Sequence, residues 1–323
     1  MPREKLVVLD FDWSLVEENS DTWVLHQLGA SHIFEGLLSQ GLPWTQLMDC
    51  ALHAAHTELK ATQEDVLKAI CSTPFHADMI QVVRTLAAVP GCTLIILSDA
   101  NTVFINEVLK HHKLDQYIHK VYSNIASWQD GALRVNPFHS SSSPHGCPNC
   151  PSNLCKGQVL DNLLAGPRYD RIVYLGDGSG DFCPCTRLRA GDYAVVRECY
   201  PTGKQCPLFR KAQMAGAHMV GCFDSASPSL ASLPATARFG MEVKSGAACQ
   251  VEDLSSQPGG FDAKCGLSTP GKERRLKAIP EWQLQPCKST RGQRDSIAAI
   301  VCAWQTPSEA AALLEATVMQ PMP

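Results

Sequence analysis

The stretch Leu6-Val7-Val8-Leu9-Asp10-Phe11-Asp12 decides the fold of this chain. Its four leading apolar residues leave no polar face, which is the signature of a short strand covered on both sides, as in a central parallel strand. The run ends in two carboxylates at i and i+2. The same texture recurs twice. Thr93-Leu94-Ile95-Ile96-Leu97 runs into Ser98-Asp99-Ala100-Asn101, and the strand Arg171 to Leu175 runs into Gly176-Asp177-Gly178-Ser179-Gly180-Asp181. Such strands alternate with helical periodicity, which predicts an α/β fold with a Rossmann-like, mostly parallel sheet core. In open α/β sheets the ligand crevice lies beyond the carboxyl ends of the strands. The three polar strand ends are therefore expected to converge, although they lie far apart in the chain.

Working outward, the spacing predicts helices near 22–30, 45–56, 63–70 and 76–88, punctuated by Pro43, Pro74 and Pro90. In the last of these, Ala77, Ile80, Val83, Arg84 and Ala87 share one mostly apolar face. A helix is expected over 102–111, a short strand over 118–123, a helix over 157–164 and a strand over 194–197. Residues 136–157 read as a loop rich in Ser, Pro and Cys. Residues 224–281 are rich in Ser, Gly, Pro, Ala and Lys with weak periodicity, the texture of loosely ordered chain. Order is expected again at 298–301, followed by a helix at Pro307-Ser308-Glu309-Ala310 with Ser308 as its N-cap.

Composition narrows the class. The chain has 323 residues, 45% of them hydrophobic, enough for a sizeable core. A formal net charge of -4 gives no basic face, so no nucleic-acid partner is expected. No run approaches the length of a membrane-spanning helix, so no membrane partner is expected either. Met1-Pro2-Arg3-Glu4-Lys5 leads straight into the first strand without an apolar leader core. A cytoplasmic setting follows as the expectation, with the fifteen cysteines mostly reduced. Nothing in the sequence fixes the oligomeric state.

The strand ends carry chemistry suited to phosphoryl transfer, which needs an in-line nucleophile, a cation for the phosphoryl oxygens and a proton for the leaving oxygen. A carboxylate can be the nucleophile and form an aspartyl-phosphate. Mg²⁺ takes carboxylates and backbone carbonyls, and Asp10, the carbonyl of Asp12 and Asp177 could supply that set. Each fragment has a plainer reading as well. An acidic pair after a strand can be a turn or cap, Asp177 between glycines a tight turn, Ser98 a helix cap, and Lys156 a solvated lysine. The ordered combination of acidic pair, hydroxyl, lysine and glycine-flanked acidic pair favours the catalytic reading.

These residues resemble the four motifs of the haloacid dehalogenase superfamily of phosphatases. More narrowly, the chain resembles the phosphoethanolamine/phosphocholine phosphatase and pyridoxal phosphate phosphatase family, with its plant relatives described as thiamine phosphate or inorganic pyrophosphate phosphatases. The matching stretches are Val8 to Asp12 with Val16 to Asp21, Ile96 to Asn101, Asn136 to His139, Cys147 to Lys156, and Tyr174 to Pro184. Together they cover residues 6–220. The resemblance implies that Asp10 attacks phosphorus and Asp12 protonates the leaving alcohol, then deprotonates the hydrolytic water. It further implies that Ser98 bonds a phosphoryl oxygen and Lys156 balances the charge. Mg²⁺ would be held by Asp10, Asp12 and Asp177, with Asp181 completing or orienting the metal shell. Trp13 and Ser14 depart from the vertebrate members, which have Glu and Thr there. Trp13 either shapes the pocket entrance or packs under a cap.

The resemblance also implies an α-helical cap over residues 14–92, inserted after the first strand. The core is then 1–13 and 93–222 plus 295–323, with 223–294 a flexible insertion that holds the basic run Lys272 to Lys277. Asn19, Asp21 and Asp99 are the expected substrate contacts. Two carboxylates there favour a small phosphoester with a cationic leaving group, such as phosphocholine, phosphoethanolamine or thiamine monophosphate. Pyridoxal phosphate and pyrophosphate are the alternatives. Asp21 has a second reading as the N-cap of the first cap helix. Cys147, Cys150 and Cys155 have the ligand character of a structural Zn²⁺ site, with His139 a candidate fourth ligand. Buried thiols that fix the loop are the other reading. A catalytically dead binding protein and a phosphate-transferring mutase remain rival classes. The complete motif set argues against the first, and the helical cap against the second.

Overall fold

In the computed structural model, residues 4–220 and 297–321 are described. Among them, eight strands form one sheet: β1 (Lys5–Leu9), β2 (Cys92–Asn101), β3 (Lys120–Gln129), β4 (Ala132–Asn136), β5 (Arg171–Gly176), β6 (Tyr193–Arg197), β7 (Met219–Val220) and β8 (Ile300–Trp304). Their order is β4-β3-β2-β1-β5-β6-β8-β7. All neighbours are parallel except the antiparallel pair β3 and β4. The expected Rossmann-like, mostly parallel α/β core is therefore present.

β1 sits in the middle because it can bury both faces. Leu6, Val7, Val8 and Leu9 are fully buried. Val7 and Leu9 join the core on one face, and Leu6 and Val8 the core on the other. Each such side chain stabilises by about 1.5–3 kcal/mol relative to exposure. In register, Leu9 stands beside Ile96 of β2 and Leu175 of β5. The chain thus leaves all three strands at the same end, and the expected convergence of Asp10, Ser98 and Asp177 is a consequence of strand order.

Five helices separate β1 from β2: α1 (Ser20–Gln27), α2 (Ser31–Leu38), α3 (Trp44–Leu59), α4 (Gln63–Cys71) and α5 (Ala77–Ala87). The first four pack on one another as a helical cap. α5 instead packs on β2 and on α10 (Pro307–Met319), as the crossover that returns the chain to the sheet. Its buried face is Met79, Val82, Val83 and Leu86, one step round from the face expected through Ala77, Ile80, Val83, Arg84 and Ala87. The larger side chains win the core side because they bury more apolar area. α2 was not expected from the spacing. It is a short helix whose apolar face, Ile33, Phe34 and Leu37, is only partly buried against the core.

β3 extends beyond the expected 118–123 and turns back through Asp130 and Gly131, at φ 49° and 83°, into β4. Positive φ at both central turn residues suits a two-residue hairpin, where Asp-Gly is favoured. This arm supports the cap. Arg134 of β4 donates from Nε and Nη2 to Asp49 of α3 at 2.8 and 2.5 Å.

α6 (Thr102–His111) lies between β2 and β3, and beyond the hairpin come α7 (Lys156–Leu164), the short α8 (Phe182–Cys185) and α9 (Pro207–Met214). α6 and α7 match the expected helices. α10 is capped by Thr306, whose hydroxyl accepts from Glu309 N at 3.3 Å while Glu309 accepts from Thr306 N at 3.2 Å. The expected cap Ser308 lies two positions inside, and its hydroxyl bonds Asp78 instead. The insertion expected over 223–294 and its basic run lie outside the described residues. No helix among the described residues is long and apolar enough to cross a membrane.

Candidate active site

Asp10 is the first residue past β1, and its N–H donates to Leu175 O of β5 at 3.0 Å. That bond pins its backbone against the strand leading to Asp177. The Asp10 side chain is buried, and Lys156 Nζ donates to its Oδ1 at 2.7 Å. Lys156, the first residue of α7, also donates to Asp181 Oδ1 at 2.7 Å. Burial pushes the ammonium pKa down, but Asp10 and Asp181 outweigh it and hold the group above its usual range.

Asp181 is engaged at both oxygens. Oδ1 also takes the Tyr174 hydroxyl at 2.6 Å, and Oδ2 takes the N–H groups of Gly178 and Asp177 at 2.9 and 3.3 Å. Four donors match the roughly four lone-pair sites of a carboxylate. Asp181 thus fastens Lys156 to the turn that carries Asp177. Gly176 permits the approach, because a Cβ there would stand 2.7 Å from Asp181 Cγ. Asp177 is oriented by the Tyr200 hydroxyl on Oδ2 at 2.6 Å and the Ser14 hydroxyl on Oδ1 at 3.0 Å. The Ser14 oxygen is also 3.2 Å from Asp10 Oδ2, so it lies between the two carboxylates.

Asp12 sits across from this group, at the start of the cap. Its Oδ1 accepts from Ser20 N at 2.9 Å, the first residue of α1, and its Oδ2 from Asn19 Nδ2 at 3.2 Å. Asn19 is the cap of α1, accepting from Thr22 N at 3.0 Å. Asn19 and not Asp21 is therefore the N-cap of α1. Between Asp12 and the cap, Trp13 takes φ 56°, a left-handed conformation that costs a bulky residue strain. Arg197 holds it there, donating from Nη1 to Trp13 O at 2.7 Å with its guanidinium 5.6 Å from the indole. The ring meets Tyr200 edge-on at 5.5 Å. Trp13 is thus packed beside Tyr200, the partner of Asp177.

Ser98 at the end of β2 is fully buried, and its Oγ accepts from Ala100 N at 3.3 Å, which leaves the hydroxyl proton for another acceptor. Asn124 fixes that turn by donating to the carbonyls of Asp99 and Ala100 at 2.6 and 3.0 Å. The helix after it is capped by Asn101, which accepts from Phe104 N, and not by Ser98. Asp21 is buried, and its Oδ2 accepts the indole N–H of Trp44 at 2.7 Å. Asp99 is exposed and acts on both Asp10 and Asp21 by charge.

Carboxylates dominate the electrostatics. Burial holds the Asp10 carboxyl well above the ordinary range, Asp181 adds to this, and Lys156 opposes it. Burial and then Asp21 do the same to Asp12, against the Ser20 N–H. Burial, with Asp181, pushes Asp177 up to about 7. Burial pushes Asp21 up to about 7, opposed by the Trp44 bond and reinforced by Asp99. Oxygens of Asp10, Asp177 and Asp181 lie within 4.8 Å of one another. Among the described residues one ammonium, Lys156, is ion-paired with this trio. A buried excess of hard oxygen donors fits a divalent cation such as Mg²⁺. A second cluster stands apart, with Cys147, Cys150, Cys155 and Cys183 within the same reach of one another. The fourth member is Cys183, not His139, whose Nδ1 accepts from Cys155 N at 3.3 Å.

Four contributors escaped the sequence reading: Ser14, Tyr174, Tyr200 and Trp44. Tyr174 was legible only as a strand residue. Tyr200 reaches the site from a loop without periodicity, and no local signal marks it.

A family model described as "Putative Phosphatase" matches residues 5–220. A "Thiamine phosphate phosphatase-like protein" of Arabidopsis thaliana is 40% identical over 220 residues, spanning 65% of this chain and 89% of that protein. "Inorganic pyrophosphatase 2" of the same plant is 34% identical over 216 residues, spanning 64% and 76%. "Pyridoxal phosphate phosphatase PHOSPHO2" of Rattus norvegicus is 35% identical over 205 residues, spanning 60% and 83%.

Proposed function

This chain belongs to that phosphatase family, within the haloacid dehalogenase superfamily, and we propose that it hydrolyses a small phosphomonoester with a cationic or amine-bearing leaving group, through a phosphoaspartate on Asp10. The observation that carries the substrate class is a pair of carboxylates beside the site: Asp21 on the first cap helix, acting by charge on Asp12, and Asp99 at the end of β2, acting by charge on Asp10 and Asp21.

In this reading Asp10 attacks phosphorus in line, and the bond to the leaving oxygen breaks. Asp12 gives that oxygen a proton. Its raised pKa, set first by burial and then by Asp21, keeps the carboxyl protonated for this purpose. Now ionised, Asp12 takes a proton from the water that attacks the phosphoaspartate. Phosphate leaves, and Asp10 and a protonated Asp12 are restored. Ser98 donates its hydroxyl proton to a phosphoryl oxygen. Lys156 offsets charge on Asp10 and the transferring group. Asp10, Asp177 and the backbone carbonyl of Asp12 would hold Mg²⁺, with Asp181 orienting that set and Lys156 through its four bonds. When bound, Mg²⁺ supplies positive charge that neutralises the phosphoryl oxygens and lets an anionic nucleophile approach. The cap excludes water around Asp12 and presents Asp21 to the leaving group.

Phosphocholine, phosphoethanolamine and thiamine monophosphate meet the charge requirement. The thiamine phosphate name of the 40% identical relative supports the last. Pyrophosphate, suggested by a second plant relative's name, brings an anion against Asp12, Asp21 and Asp99. The test is phosphate release with Mg²⁺ across these three esters, pyridoxal phosphate and pyrophosphate. A kcat/KM preference for the cationic esters that Asp21→Asn reduces supports the reading. A preference for pyrophosphate or pyridoxal phosphate, unchanged in that variant, overturns the substrate class and leaves the phosphatase standing.

A further inference from the structure

We propose that Cys147, Cys150, Cys155 and Cys183 bind one structural Zn²⁺ as a tetrathiolate, and that this ion staples the chain on both sides of Lys156. The cluster draws from two separate regions. Cys147 and Cys150 lie in the loop between β4 and α7, Cys155 caps α7, and Cys183 lies in α8. Their sulfurs all lie within 4.8 Å of one another.

The distances suit zinc. Cys183 Sγ stands 3.9 Å from Cys147 Sγ and 3.9 Å from Cys155 Sγ. A tetrahedron with Zn–S bonds near 2.3 Å has sulfurs about 3.8 Å apart. A disulfide requires about 2.05 Å. Four soft donors, reached in part through a Cys-x-x-Cys step, are the set zinc takes when its site is closed and structural. The surroundings supply what such a site needs beyond its ligands. Gln158 N donates to Cys155 Sγ at 3.3 Å, at the positive end of α7. The two nearby histidines serve the backbone instead: His139 Nδ1 accepts from Cys155 N, and His145 Nδ1 accepts from Cys147 N at 3.0 Å.

The placement gives the ion a task. No helix or strand forms between Asn136 and Lys156, so the loop that leads into the lysine has no ladder of its own. A loop of that length needs an internal tie to hold one shape. Cys155 immediately precedes Lys156, and Cys183 stands two residues past Asp181, the partner of Lys156. The contact is tight enough that a Cβ on Gly157 would stand 2.5 Å from Cys183 Sγ.

The experiment is metal analysis and zinc K-edge absorption on the full chain, purified without added zinc or chelator. About one zinc per chain with a sulfur-only shell near 2.3 Å is expected. Cys147→Ser and Cys183→Ser lose most of the zinc, while Cys50→Ser in α3 retains it. Where a serine variant aggregates, the wild-type absorption spectrum decides alone. Zinc absent from the wild type, a shell with nitrogen or oxygen, or a disulfide among these cysteines overturns the site. Stripping the zinc is expected to speed amide exchange across residues 139–160 and leave α3 unchanged. Unchanged exchange there overturns the stapling role.

Discussion

The ammonium of Lys156 stands 2.7 Å from Asp10 Oδ1, with both side chains withdrawn from solvent. It is also the pair that links the first motif to the start of α7, 146 residues later. Removing one partner of a buried pair strands the other charge. Lys156→Met is therefore expected to lower stability by about 3–5 kcal/mol in Mg²⁺-free protein. It should also lower kcat by at least about a hundredfold, as loss of a preorganised charge does. Chemical denaturation and phosphate release check the two halves.

Asp21 trades stability for recognition. Its carboxyl, raised from 3.8 to about 7 chiefly by burial, is more readily protonated in the fold than in the unfolded chain. The sign follows: its contribution is fully present below about 3.8 and is lost as pH rises through about 7. Asp21→Asn keeps an acceptor for Trp44 and removes the pH-dependent loss, an upper bound of about 4 kcal/mol. Its melting temperature is expected to gain on wild type between pH 4 and 7 and level off above. The same variant raises KM for cationic esters most at pH 8. Equal melting curves at every pH contradict the assignment.

Tyr200→Phe takes away one of the two hydroxyls that orient Asp177. Partners of this kind typically tune metal affinity ten- to a hundredfold. The half-activating Mg²⁺ concentration is expected to rise about tenfold, with kcat at saturating Mg²⁺ changing less. Titrating Mg²⁺ against initial rate reads this directly.

Gly176→Ala places a Cβ against Asp181 Cγ, whose carboxylate is tied down by four donors and cannot step aside. Overpacking of this kind costs about 1–3 kcal/mol. The Lys156 and Asp177 positions shift with it, so activity falls along with the melting temperature.

The parts of this architecture legible in the sequence are those written in contiguous residues. β1, β2 and β5 announce themselves as apolar runs, and their polar ends follow at once. The hairpin of β3 and β4 is written in contiguous residues as well, in Asp130-Gly131 between Trp128 and Leu133, a two-residue turn signal. α2 is short, and its apolar residues Ile33, Phe34 and Leu37 are only partly buried, so it makes a weaker signal than the longer helices around it. Tyr200 and Cys183 are contacts of topology. Each reaches its cluster from a segment whose local pattern is dominated by other needs, a loop in one case and the Asp181 turn in the other. Trp13 was visible as an oddity, but its tie to Arg197 spans 184 residues and belongs to the fold alone.

The central claim is that Asp10 forms the covalent bond to phosphorus. Rapid acid quench during turnover of a phosphoester with a good leaving group isolates that step. A hydroxylamine-labile phosphate is expected on the peptide that carries Asp10, absent in folded Asp10→Asn. Turnover that persists in Asp10→Asn, or a labile phosphate carried by another residue, would contradict it.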